Sequence, residues 1–331
     1  MNGLQIILKF PGTILAILTY GMLNFSNAQG VDALSGVTVK PVFKSQCILG
    51  EGAFWDGNRQ CLWFVDIEGK AVWSFKPENL VSKKFPTSQR TGTVVPAEKE
   101  DIMVLGLQTG VFSMSTEGKN LQLIGKPLEL GSNQRFNDGK ADPKGLLWVG
   151  SMNLDKQSEK AHLFSMDARL QFGVQRKGVT ISNGLAWSKD SKTFYYIDTP
   201  TRKVMAFDFD SARNSLSNER ILIEVPDSLG WPDGMTLDAG DDLWIGMWGG
   251  SAVTHWSGKD GAYLGKINIP APNVTSCAFG GPNLDYLYIT TAQQGLTPAQ
   301  MLAFPGSGDV FVARPGKKGR QMPYWLPLAK P

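Results

Sequence analysis

Short apolar runs rich in aromatic residues recur along the chain at a nearly constant interval. L-W-F-V-D ends at Asp66, I-M-V-L-G at Gly106, L-L-W-V-G at Gly150, F-Y-Y-I-D at Asp198, L-W-I-G at Gly246 and L-Y-I-T at Thr290. Successive ends lie 40, 44, 48, 48 and 44 residues apart. A strand of small and apolar residues precedes each run, as in G-A-F-W-D, N-G-L-A-W-S and D-G-M-T-L-D, with a polar Gly, Asn or Asp turn between. A further strand follows, such as A-V-W-S-F or K-V-M-A-F-D. Four antiparallel strands per period is the grammar of a propeller blade, and six runs predict an all-β, six-bladed β-propeller.

One strand is left over at the start, V-T-V-K-P-V-F at residues 37–43, and one at the end, D-V-F-V-A-R at residues 309–314. Pairing them in the last blade closes the ring with strands from both termini and leaves no sheet edge open to another chain. The propeller is therefore expected over residues 37–315, with 316–331 as a C-terminal tail. No segment of convincing helical period competes, since stretches such as 208–218 are short and polar.

Composition agrees with this fold. Among 331 residues there are 37 Gly, 19 Pro and 10 Trp, and only 19% are charged. The net charge is +3 with Lys and Arg scattered, so the electrostatic footprint of a nucleic-acid binder is absent. A small molecule is the expected partner.

Residues 1–28 read as an export signal. Lys9 gives a small positive region, residues 13–23 form an apolar run, and Ser26-Asn27-Ala28 offers the small residues of a cleavage site. The run is short for the ~30 Å of hydrocarbon a membrane anchor must cross. Cleavage after Ala28, a periplasmic or secreted product and no stable membrane span afterwards are expected. Three cysteines remain, Cys47, Cys61 and Cys277, an odd number for an oxidising compartment. Cys47 and Cys61 could pair, but apolar strand settings around Cys61 and Cys277 favour free, buried thiols.

The first strand of a blade lies nearest the axis, so residues at one offset from each run end should face one another across the channel. Thirteen to fifteen residues before those ends stand Glu51, the segment Thr91-Gly92-Thr93, Asn137, Asn183, Asp233 and Thr275-Ser276. Singly, Glu51-Gly52, Asp138-Gly139, Asn183-Gly184 and Asp233-Gly234 are ordinary turn dipeptides. Turns alone do not require carboxylates and carboxamides at one strand offset in four blades. Together they predict an oxygen-rich ring.

A Glu, an Asp and an Asn carbonyl suit a hard divalent cation, Ca²⁺ first, with Mg²⁺, Mn²⁺ or Zn²⁺ as alternatives. A cation also relieves the repulsion between two neighbouring carboxylates. Other chemistries are excluded or weakened. His162 and His255 are the two histidines of the chain, neither in a zincin pattern, and both sit in strand-like settings that suit structural roles. Gly-x-Ser-x-Gly, P-loop and Rossmann glycine patterns do not occur.

At these residues the chain resembles the family of regucalcin (senescence marker protein), gluconolactonases and luciferin-regenerating enzymes. The matches are G-E-G-A-F-W-D at 50–56, R-F-N-D-G-K-A-D-P at 135–143, S-N-G-L-A-W-S at 182–188, P-D-G-M at 232–235, and C-A-F-G-G with L-Y-I-T-T-A at 277–292. The resemblance spans residues 40–315. It implies a six-bladed propeller with one divalent metal in the channel and, commonly, lactone hydrolysis. It also implies Glu51, Asn183 and Asp233 as metal ligands and Arg135 and Asn137 as substrate contacts. Asp155 stands where some members have an acidic substrate contact, and His255 where members often carry Arg.

The expected activity is therefore metal-dependent opening of a sugar or related small lactone. Asp233 is the candidate general base, and Arg135 and Asn137 orient the substrate. Two other readings fit the same ring: a non-enzymatic propeller that binds a protein or glycan, and a hydrolase of organophosphorus bonds.

Overall fold

A computed structural model describes residues 34, 36–155 and 159–326, all within one compact unit that runs from residue 32. The expected export signal lies outside the described residues. Six four-stranded antiparallel sheets are present. From the axis outward, blade one is Gly50–Asp56, Cys61–Asp66, Ala71–Lys76 and Val81–Pro86. Blades two to five repeat this order, with inner strands Thr91–Pro96, Gln134–Ala141, Ser182–Trp187 and Trp231–Leu237. Blade six takes Asn273–Gly280, Tyr286–Ala292 and Val310–Ala313 from the C-terminal part and Val39–Phe43 from the N-terminal part. Val39 opposes Ala313 and Lys40 opposes Val312, so strands from both termini close the ring.

Each recurring aromatic run is the second strand of its blade, buried on both faces between neighbouring sheets. Trp148, Tyr196 and Trp244 are fully buried there. At the closure, Trp55 of blade one stacks on Tyr288 of blade six with ring centroids 5.2 Å apart and planes at 2°. A Cβ on Gly280 would come within 2.5 Å of the Trp55 ring, which accounts for a glycine there. Aromatic pairs of this kind add about 0.5–1.5 kcal/mol beyond their buried area. All three cysteines are free and buried.

All six inner strands slip register against the second strand near their starts. The shifts fall between Glu51 and Phe54, Thr91 and Thr93, Phe136 and Gly139, Asn183 and Leu185, Pro232 and Met235, and Val274 and Ser276. A bulge re-aims side chains and interrupts the ladder. Here the interruptions coincide with the oxygen-rich positions at one end of the channel.

The other end is crossed by the segment after the closing strand. Ala239 N–H donates to Lys318 O at 2.7 Å, Gln321 Nε2 to Trp55 O at 3.0 Å, and Tyr324 Oη to Asp56 Oδ1 at 3.0 Å. Trp325 N–H donates to Pro96 O at 2.9 Å, and the Trp325 side chain is buried. Blades one, two and five are thereby tied to one strap. Among the described residues one short α-helix, Pro298–Ala303, interrupts blade six; Thr297 and Gln300 form a capping box that starts it. Residues 208–218 belong to the long outer hairpin of blade four, Lys203–Asp210 and Ser215–Glu224.

Candidate active site and metal centre

Glu51, Asn137, Asp138, Asn183 and Asp233 occupy the starts of the inner strands of blades one, three, four and five, and every one is buried. The glycine after the polar residue has a steric reason. A Cβ on Gly184 would meet Asp233 O at 2.8 Å, and one on Gly234 would meet Ser276 Cβ at 2.8 Å and Thr275 O at 2.9 Å. Without side chains at these two points, adjacent inner strands approach closely enough for their leading residues to converge.

A hydrogen-bonded chain links three blades. Arg135 Nη1 donates to Phe136 O at 2.9 Å and to Asn137 Oδ1 at 2.5 Å. Asn137 Nδ2 donates to Ser182 O at 2.7 Å and to Asn183 Oδ1 at 2.8 Å. Asn183 Nδ2 donates to Thr199 Oγ1 at 2.8 Å, and Thr199 Oγ1 donates to Pro232 O at 2.7 Å. Both amide hydrogens of Asn137 are used, and the orientation of each carboxamide follows from its partners. Asn183 Oδ1 accepts one hydrogen bond and keeps a second lone pair for a ligand.

The carboxyl groups are strained electrostatically. Burial pushes the Glu51 carboxyl above its usual range, with repulsion from Asp138 adding to it; the Gly52 N–H and Arg135 act in the opposite direction. Burial raises Asp233 far above its usual range, reinforced by Glu51, with which it is in hydrogen-bonding reach, and by Asp138. Asp138 is also raised by burial and eased by Lys140. Asp233 Oδ1 and Asp138 Oδ2 are buried without any donor. Burial lowers Arg135 to about 10, against the fields of Glu68 and Glu51, so it remains a cation at neutral pH. A buried Asp233 Oδ1 without a donor, next to the Glu51 carboxyl and the spare lone pair of Asn183 Oδ1, fits a divalent cation among Glu51, Asn183 and Asp233, which would offset this repulsion.

The ring threonines of blades two and six do other work. Thr93 Oγ1 donates to Gly139 O at 2.7 Å and Thr275 Oγ1 to Gly50 O at 2.5 Å, tying neighbouring inner strands together. Asp155 is exposed on the rim, where its Oδ2 accepts from Asn133 Nδ2 at 2.9 Å; it stands outside the buried chain of Arg135 and Asn137. Neither His162 nor His255 joins the ring. Sequence reasoning treated Asp138 as a turn residue and did not reach Thr199. The repeated Asp-Gly dipeptides at Asp138 and Asp233 carried the signal for the first, because the bulge between Phe136 and Gly139 presents two successive side chains. Thr199 sits in a short 3₁₀ turn after the second strand of blade four and has no counterpart in the repeat.

The family described as "SMP-30/Gluconolactonase/LRE-like region" matches residues 49–293. The chain is 32% identical to a putative sugar lactone lactonase, YvrE, of Bacillus subtilis (strain 168) over 270 residues, 82% of this chain and 92% of that one. It is 32% identical to regucalcin of Danio rerio over 291 residues, 86% of this chain and 97% of that one. The solved structure of a luciferin-regenerating enzyme superposes with a TM-score of 0.83 at 31% identity, covering 88% of this chain and 99% of the other.

Proposed function

Because the chain belongs to the SMP-30/gluconolactonase/LRE-like family, we propose that it hydrolyses a small sugar-type lactone at the oxygen-rich end of its channel, with a divalent cation held by Glu51, Asn183 and Asp233. The observation that carries this reading is the facing pair of Glu51 and Asp233 with the Asp233 Oδ1 left without a donor, beside the buried guanidinium of Arg135. Ca²⁺ suits the all-oxygen ligand set best.

In the reaction, water adds to the lactone carbonyl carbon, the ring C–O bond breaks, and a hydroxy acid leaves. Asp233 accepts the proton of the attacking water and returns it to the ring oxygen as that bond breaks. Arg135 spends one N–H set on Asn137 and Phe136, which fixes the fork, and its remaining N–H groups face substrate oxygens. Asn137 is locked by Ser182 and Asn183 and sets the position of that fork. When bound, the cation supplies Lewis acidity toward the carbonyl oxygen, where negative charge grows in the transition state.

The relative named as a sugar lactone lactonase supports the substrate class. Export is part of the same proposal and rests on the charged, apolar and small-residue pattern of residues 1–28. Among the described residues, no helix is long and apolar enough to cross a membrane. A pH-stat assay of the protein against a panel of aldonolactones, with and without chelator, tests the proposal. Acid release from at least one lactone that stops with chelator is expected. Inertness toward the whole panel with added divalent metal would overturn it.

A further inference from the structure

We propose that Asp238, Asp242 and His255 form a second metal site, separate from the channel ring and suited to a divalent transition ion such as Zn²⁺. All three belong to blade five. Asp238 follows the inner strand Trp231–Leu237, Asp242 precedes the second strand Leu243–Trp248, and His255 lies in the third strand, Ala252–Trp256, directly opposite Trp244. Asp233 stands near one end of that inner strand and Asp238 just beyond the other. Five residue steps along the strand separate them, about 17 Å at ~3.3 Å per step.

The three ligand atoms lie within 4.8 Å of one another. His255 Nε2 is 3.7 Å from Asp238 Oδ2 and 3.6 Å from Asp242 Oδ2. Those separations are too long for hydrogen bonds, and Nε2 has no hydrogen-bond partner although His255 is only 4% exposed. A histidine that had settled into an ion pair would lean on one carboxylate at hydrogen-bond distance. This one stands nearly equidistant from two. Tetrahedral zinc with ligand bonds of ~2.0–2.1 Å holds its ligand atoms about 3.3–3.4 Å apart, and the two distances from His255 Nε2 to the carboxylates are within about 0.4 Å of that.

The surrounding contacts orient the donors. Asp238 Oδ1 accepts the N–H groups of Gly240 at 2.8 Å and Asp242 at 3.1 Å, and its Oδ2 accepts the Trp244 indole N–H at 3.3 Å. Asp242 Oδ1 accepts Gly258 N–H at 3.4 Å. The His255 ring stacks on Trp244 with centroids 4.0 Å apart and planes at 19°. Hydrogen-bonded carboxylates and a clamped imidazole are the outer support that metal sites use to fix their ligands. Lys317 Nζ lies 4.0 Å from Asp242 Oδ2 on a half-exposed side chain, so it guards the open side and can withdraw into water. An imidazole nitrogen with two carboxylates selects Zn²⁺, Co²⁺ or Ni²⁺ over Ca²⁺, whereas the channel ring offers oxygen alone.

The chain has two histidines, so one spectrum isolates the site. Protein labelled with ¹⁵N-histidine is stripped with chelator, exchanged into buffer and titrated with Zn²⁺ while the imidazole nitrogens are followed by NMR. His255 Nε2 is expected to shift saturably, His162 to stay in place, and equal Ca²⁺ to leave His255 unmoved. Asp242→Asn, a partly exposed substitution that keeps the Oδ1 contact, should weaken the Zn²⁺ response at least tenfold. A His255 Nε2 that titrates with pH but ignores millimolar Zn²⁺ would overturn the proposal, as would an undiminished response in Asp242→Asn. Because the channel ring contains no imidazole, the result is independent of what that ring binds.

Discussion

Asn137 donates its side-chain N–H to Asn183 Oδ1 at 2.8 Å, joining the inner strands of blades three and four at the point where substrate-directed and metal-directed residues meet. Arg135 is on one side of this bond and Thr199 on the other. The orientation of the Asn183 carbonyl thus depends on the substrate-directed Asn137 on one side and, on the other, on Thr199, which has neither a ligand nor a substrate role.

Thr199→Val removes the acceptor of Asn183 Nδ2 and the donor to Pro232 O while keeping the side-chain volume. Calcium affinity of the channel ring should fall about 10–100-fold, as for other outer contacts of metal ligands. Isothermal titration with Ca²⁺, together with an unchanged circular dichroism spectrum, checks this.

Arg135→Ala should leave bound metal in place and lower kcat/KM on the best lactone by about 10²-fold, because positioning near the reacting carbonyl is lost. Arg135→Lys should recover little, since an ammonium group cannot contact Asn137 and substrate through one planar fork. Metal content and kinetics on the same preparation provide the check. A purely structural Arg135 would instead give a lowered Tm with near-normal kinetics in the folded fraction.

The buried carboxyls make the stripped protein sensitive to pH. Glu51 and Asp233 are raised in the folded state, so between the ordinary carboxylate range and their raised values the folded chain holds more protons than the unfolded one. Stability in chelator should therefore fall as pH rises through that window. Urea unfolding midpoints at pH 6 and pH 8 measure the slope. Glu51→Gln should flatten it, and saturating Ca²⁺ should do the same by holding both carboxylates ionised. The slope will not vanish, because Asp138 is raised as well.

The blade count was legible because each second strand is buried on both faces and so must repeat the same apolar run. The ring was legible because Glu51, Asn137, Asn183 and Asp233 share one offset from those runs. Asp138 escaped because a bulge breaks the alternation that assigns successive residues to opposite faces. The strap from Lys318 to Trp325 escaped for a different reason: it is held through backbone groups and single side chains, which leave no period in the sequence. His255 looked like an isolated strand histidine. Its two carboxylates arrive from a turn 13 to 17 residues earlier, and only the hairpin of blade five brings them together.

The dual role of Asp233 as cation ligand and general base is decided by a paired measurement on Asp233→Asn, which keeps the side-chain shape and removes its charge and basicity. Bound Ca²⁺ and lactone kcat are determined on one folded preparation beside the wild type. Weakened Ca²⁺ binding is expected, with a kcat that stays at least 10²-fold down when Ca²⁺ is raised to saturation, because the general base is gone. Full Ca²⁺ occupancy at wild-type affinity with undiminished turnover would contradict that dual role.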